Sequence, residues 1–280
     1  MENTITIPDG TKTIEETAFK GREDITSIII PEGVTSIGKE AFGGCSNLQS
    51  INIPDTVTSI ASLAFVACSS LESIVIPDSV TSIEGGTFSF CCKLSSITLP
   101  PKITSIGSFA FYCTYLNSIT IPETVTYIGP AAFSKCDLIK SITIPNNVKY
   151  ICNGTFESCG NLTSISIPDG VTLIGTRAFS LCLHLQDITL PKSLEIIEDS
   201  AFQLCISLEN INIPNGVTSI GEEAFSGCTE LKSITIPNSV KSIGKEAFAD
   251  CNNLKEIYLP PHIENISELS IPSDCKIITK

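Results

Sequence analysis

Residues 45–67 read CSNLQSINIPDTVTSIASLAFVA, and at Cys68 the phrase begins again as CSSLESIVIPDSVTSIEGGTFSF. Counting from the cysteine as position 1, the unit is C-x-x-L-x-S-I-x-I-P-x-x-V-T-S-I-G-x-x-A-F-x-x. Outward from this stretch the beat holds in both directions. Phenylalanines stand at 19, 42, 65, 88, 111, 133, 156, 179, 202, 225 and 248, every step being 23 except the step of 22 from Phe111 to Phe133. Prolines keep the same spacing at 8, 31, 54, 77, 100, 122, 145, 168, 191, 214, 237 and 260. The shared short step places a one-residue deletion between Phe111 and Cys113.

Each part of the unit has a local reading. Leu48 to Ile53 ends in the apolar/polar alternation of a half-buried strand, rich in β-branched residues. Pro54 stops that strand, and dipeptides such as Asp9-Gly10, Asp169-Gly170 and Asn215-Gly216 make a corner, since Gly and Asn tolerate positive φ. V-T-S-I is a second short extended piece. In G-x-x-A-F-x-x-C-x-x-L the apolar residues fall at i, i+1, i+4 and i+7, which predicts a helical turn, with Pro130 and Glu222-Glu223 suited to its start. A 23-residue unit cannot bury its own Leu, Ile, Val and Phe, so neighbouring units must stack and share one core. The expected fold is one solenoid over residues 1–280, about 12 coils at a strand spacing of about 4.8 Å, with one long parallel sheet and an irregular closing segment at 268–280.

The pattern L-x-x-I-x-I-P, V-x-x-I-G and A-F-x-x-C resembles the BspA-type leucine-rich repeat over residues 1 to about 267. The resemblance implies a right-handed, β-rich leucine-rich-repeat solenoid on the surface of bacteria or parasitic protists, or secreted from them. It implies adhesion to host matrix or plasma proteins, and it carries no catalytic residues or cofactor. A self-assembling surface protein and an intracellular scaffold are the alternatives.

Composition narrows the partners. The chain has 280 residues, with 17 basic and 30 acidic side chains and a net charge of −13, which repels phosphate backbones and anionic lipid. Nucleic acid is therefore not expected as a partner. No apolar run approaches the length of a membrane span, and MENTITIPDG has no basic-then-apolar leader.

Residue types that carry chemistry sit on the repeat rather than in clusters. Cysteines 45, 68, 91, 113, 136, 159, 182, 205, 228 and 251 share position 1, with Cys92, Cys152 and Cys275 outside the column. One thiol per coil is core spacing, not the paired spacing of a metal loop. His184 and His262 lie in separate coils, and no hydrolase motif is present. Gly33 to Lys39 mimics a P-loop start, but Glu40 replaces the required Ser/Thr. Asp9, Glu32, Asp55 and Asp78 form a column at position 11 that reads as solvated turn residues, with a shared calcium ion as the other reading. Sequons occur at Asn153, Asn161 and Asn265.

Binding residues are sought as departures from the repeat. At position 15, usually Ser, stand Tyr127, Tyr150, Leu173 and Ile196. If that column faces water it is an apolar interaction stripe; otherwise these side chains complete the core. A second cluster comprises Leu63, Val66, Phe90, Phe109, Tyr112 and Tyr115, and a third Leu181, Leu183, Leu204 and Ile206. The first-strand face is flat and rich in Ser and Thr until Asp187, Asn210, Glu256 and Tyr258 add charge and an aromatic anchor.

Overall fold

The computed structural model describes residues 3–279, leaving Met1, Glu2 and Lys280 outside the described residues. The chain divides into two compact units, Met1–Ile139 and Lys140–Lys280. Each unit is a parallel-strand β-solenoid, because each coil lays two short strands on the same two strands of its neighbour, residue on equivalent residue.

In the first unit the first-strand column runs Thr4–Thr6, Ser27–Ile29 and Ser50–Asn52, with Ser73–Val75 and Ser96–Thr98 forming a separate pair. Its second-strand column runs Thr13–Ile14, Ser36–Ile37 and Ser59–Ile60, then Ser82–Ile83, Ser105–Ile106 and Tyr127–Ile128. In the second unit the first strands are Ser141–Thr143, Ser164–Ser166, Asp187–Thr189 and Asn210–Ile211, followed by Ser233–Thr235, Glu256–Leu259 and Lys276–Thr279. The second strands there form one ladder from Tyr150–Ile151 to Ser242–Ile243. The single long sheet expected from the sequence is thus two columns of short ladders. In the closing segment Leu269 is fully buried where the A-F pair would stand, and Lys276–Thr279 continues the ladder.

The expected helical turn is replaced by a string of tight turns, and no α-helix occurs among the described residues. In residues 38–48 the N–H groups of Ala41, Gly43, Cys45 and Leu48 donate three residues back, to Gly38, Glu40, Phe42 and Cys45. The alternate N–H groups of Glu40, Phe42 and Gly44 donate instead to Ser62, Ala64 and Val66 of the next coil. This sharing demands positive φ at two places per coil, 52° at Glu40 and 73° at Gly44. The physical reason is thickness: an α-helix is about 10 Å across, so helices cannot stack at the roughly 4.8 Å rise that the strands impose. Turns that bond to the neighbouring coil fit that rise and still satisfy the backbone.

The core is a column of rings. From Phe19 to Phe133 consecutive phenylalanines of the first unit stack with centroids 5.3–5.7 Å apart. From Phe156 to Phe248 the rings of the second unit stack at 5.4–5.9 Å. Beside the rings, the thiol of Cys68 donates to the Phe42 carbonyl at 3.1 Å, and Cys91, Cys182, Cys205, Cys228 and Cys251 repeat that bond. Position 1 therefore takes a small apolar residue with one weak donor.

That ladder corrects the sequence register. The Cys113 N–H donates to the Ser134 carbonyl with φ of 57°, as position 23 does in other coils, so Cys113 is not in the cysteine column. Thr114 takes the place, fully buried, its hydroxyl 3.0 Å from the Phe111 carbonyl and 3.2 Å from the Cys136 sulfur. The deleted residue is therefore lost between Thr114 and Leu116, and residues 117–120 of this coil form no strand.

Candidate functional site

Position 15 faces water in both units because position 16 takes the core. Ile128, Ile151, Ile174 and Ile197 are buried, so their neighbours in the strand must point outward. In the second unit Tyr150, Leu173 and Ile196 stand on adjacent rungs in register, Tyr150 being 55% exposed and the other two half-buried. Tyr127 belongs to the first unit, is 46% exposed and pairs with Ser105. Beside Ile196 lies a shallow cavity of about 470 Å³ with an acidic rim. Glu198 there accepts the N–H and hydroxyl of Thr176 at 2.9 and 3.0 Å, and Asp199 accepts the Glu222 N–H at 2.8 Å. These carboxylates hold coils together and leave negative charge at the stripe's edge.

On the first-strand face the structure separates the four residues singled out by sequence. Asp187 and Asn210 are exposed on adjacent rungs and line a groove of about 480 Å³ with Thr189, Asn212, Ser233 and Thr235, over buried Ile188, Ile211 and Ile234. Glu256 and Tyr258 do not line it. The Tyr258 hydroxyl donates to Glu256 at 2.9 Å, and that bond raises the phenol above its ordinary value.

The turn side of the first unit carries a more apolar groove, of about 660 Å³. Five residues of the second sequence cluster meet there: Leu63, Val66, Phe90, Phe109 and Tyr112. Tyr115 is exposed but does not line it. Phe90 and Phe109 both meet the Tyr112 ring edge-on, at centroid distances of 5.1 and 5.7 Å and angles of 75° and 69°. Gly85 and Gly86 also line the groove, and a Cβ on Gly86 would lie 2.5 Å from Leu63 Cδ2. Sequence reasoning passes over them because it looks for unusually large side chains and not unusually small ones. The signal is the Gly85-Gly86 pair, since no other coil has glycine at both positions.

In the third cluster Leu204 and Ile206 are exposed, and Leu204 Cδ2 covers Gly227.

The remaining candidates resolve into scaffold. Asp9, Glu32, Asp55 and Asp78 are exposed corners, and among the described residues no group of three or more His, Cys, Asp or Glu is placed to hold a metal ion. His184 Nδ1 lies 2.6 Å from the Gly160 carbonyl and His262 Nε2 lies 2.7 Å from that of Val240, each ring bridging coils. In the P-loop look-alike, Gly38 packs closely on the neighbouring coil: a Cβ there would lie 2.6 Å from the Glu16 nitrogen. Burial pushes the column thiols up, Cys45 to about 11 and Cys136, Cys182 and Cys251 to about 12, so they stay protonated donors.

The comparisons with known proteins agree with this geometry. The sequence profile of the BspA type leucine rich repeat region matches in six copies, over residues 2–93, 58–186 and 172–279. The chain is similar to a leucine rich cell surface protein of Faecalibacterium prausnitzii A2-165, with 35% identity and a TM-score of 0.64 over 95% of this chain and 80% of that one. It shares its fold with the pneumococcal vaccine antigen PcpA, at 23% identity and a TM-score of 0.65 over 99% of this chain and 84% of the other. Comparison with curated proteins gives no match. No helix among the described residues is long and apolar enough to cross a membrane. With the repeat profile spanning nearly every residue and the coils built as it requires, the chain belongs to the BspA-type leucine-rich-repeat family.

Proposed function

We propose that the chain is a non-enzymatic protein-binding module, displayed on or secreted from the cell, that adheres to a host matrix or plasma protein. The observation that carries this reading is the water-facing row Tyr150, Leu173 and Ile196. These apolar side chains are held on hydrogen-bonded rungs where the repeat otherwise places Ser. A rigid aromatic with apolar neighbours at fixed spacing loses little entropy on binding and suits the anchor of a protein interface. The surface location is supported by the relative described as a cell surface protein. Tyr127 extends the candidate set into the first unit, and Asp187, Asn210, Glu256 and Tyr258 offer a polar second face.

The test is binding of the purified chain to immobilised matrix and plasma proteins, beside a Tyr127→Ser/Tyr150→Ser/Leu173→Ser/Ile196→Ser variant with unchanged circular dichroism. Saturable binding that the folded variant loses supports the reading. Binding that survives moves the contact to the Asp187 face. Absence of binding, with a mass that rises with concentration, replaces adhesion by self-association.

A further inference from the structure

The turn-side groove of the first unit has the form of a binding site rather than of a packing defect. A defect would be lined by side chains collapsed onto one another, whereas Phe90 and Phe109 keep 47% and 50% of their surface exposed. Both are held upright by their edge-on contacts with Tyr112. Phe90 and Phe109 stand at the two positions where each coil turns left-handed, at φ of 60° and 57°, so the hydrogen-bonded scaffold fixes the backbone that presents them. Beside them Gly86 makes room for Leu63, whose Cδ2 fills the place a Cβ there would take.

The charges around the groove select its occupant. The chain carries 30 acidic side chains against 17 basic ones, yet the lining contains Lys39 and no Asp or Glu. Lys135 lies outside the lining and covers the Tyr112 ring, its Nζ 5.3 Å from the ring centre. The apolar stripe of the second unit is bordered by Glu198 and Asp199 instead. A groove of about 660 Å³ that leaves its aromatic walls half exposed covers one side of a ligand, which suits side chains of a protein segment better than an enclosed small molecule. A cation next to exposed rings favours a carboxylate next to an apolar group.

We propose that this groove binds a protein segment presenting one or two large apolar side chains flanked by carboxylates. The proposal rests on reading the chain as a protein-binding module, but on residues other than the Tyr150 row, so the two fail separately. Lys39 selects the acidic flank, and Phe90, Phe109 and Leu63 receive the apolar side chains.

The chain contains no tryptophan, so a tryptophan probe reports its own surroundings without background. The probe is the capped peptide Gly-Asp-Trp-Leu-Asp-Gly, with Gly-Lys-Trp-Leu-Lys-Gly as its charge-reversed control. The expected result is a saturable blue shift of emission with the acidic probe and affinity weaker by about tenfold or more for the lysine probe. Phe90→Ser/Phe109→Ser is expected to abolish the shift, and Lys39→Glu to narrow the preference between probes. Serine suits both sites because Ser158 and Ser200 already occupy the equivalent repeat positions at φ of 60° and 53°, and circular dichroism checks the fold. The four-residue stripe variant must bind the acidic probe as the unaltered chain does. Equal binding of the two probes, binding unchanged in the phenylalanine variant, or no shift with either probe overturns the proposal.

Discussion

Replacing one ring in the middle of the phenylalanine column tests whether the rings carry the stability of the second unit. Phe202 is fully buried, with Phe179 and Phe225 each 5.4 Å away on either side. Its N–H donates to Ala224 at 2.8 Å and its carbonyl accepts the Cys228 thiol at 3.2 Å. Those bonds fix the backbone, so the neighbouring coils cannot close over the space left by Phe202→Ala. The loss should therefore fall in the full large-to-small range, about 3–5 kcal/mol. Phe19 provides the contrast. It is half-buried at the start of the column and stacks on Phe42 at 5.5 Å, so Phe19→Ala should cost about 1–2 kcal/mol. Urea unfolding followed by far-UV circular dichroism measures both. Because repeat arrays open coil by coil, amide exchange should accompany it. Protection should fall first around residues 179–228 in Phe202→Ala. Equal losses for the two variants, or a loss below about 1 kcal/mol at Phe202, would refute the view that stacked rings rather than strand pairing hold the coils.

Three further outcomes are expected. Gly38→Ala should destabilise by about 1–3 kcal/mol in thermal or urea unfolding, because its Cβ meets the Glu16 nitrogen, the Glu15 carbonyl carbon and the Ile14 oxygen at 2.6–2.9 Å. In native-state thiol labelling read by mass spectrometry, the half-buried Cys92, Cys113, Cys152 and Cys275 should react while the fully buried thiols wait for unfolding; protection of Cys113 would return it to the cysteine column. The Arg22 guanidinium, bonded to Asp24 at 2.7 and 2.8 Å, holds that carboxyl down at about 2. The contribution of the pair is thus complete above the ordinary carboxylate value and is lost as pH falls through about 2. A carboxyl titration by NMR should show that midpoint and its rise in Arg22→Gln.

The repeat was legible because each of its residues does one job in every coil. Pro54 ends a strand, Phe65 joins a ring column and Ile60 faces inward, and stacking is the one way to bury all three. The helical reading failed for a reason outside the unit, since the spacing of Ala41, Phe42, Cys45 and Leu48 satisfies a helix as well as a chain of turns. Only the thickness allowed by the next coil chooses between them. The deletion was misplaced because a cysteine at 113 imitates the column by letter, whereas position in the column is set by which carbonyl receives the N–H.

For function, the sequence alone marked Tyr127, Tyr150, Leu173, Ile196 and the aromatic cluster as departures, since a repeat supplies its own baseline. It also carried the family resemblance, through the motifs L-x-x-I-x-I-P, V-x-x-I-G and A-F-x-x-C, while the 23-residue period by itself called for stacked coils. The tertiary structure decided which departures face water, that Tyr258 turns to Glu256, and that Lys39 shares a groove with Phe90 and Phe109. Those facts depend on contacts between residues far apart in sequence, as with Lys39 and Phe109. A repeat pattern states what is alike in every coil, while a binding site is made where unlike side chains of several coils meet.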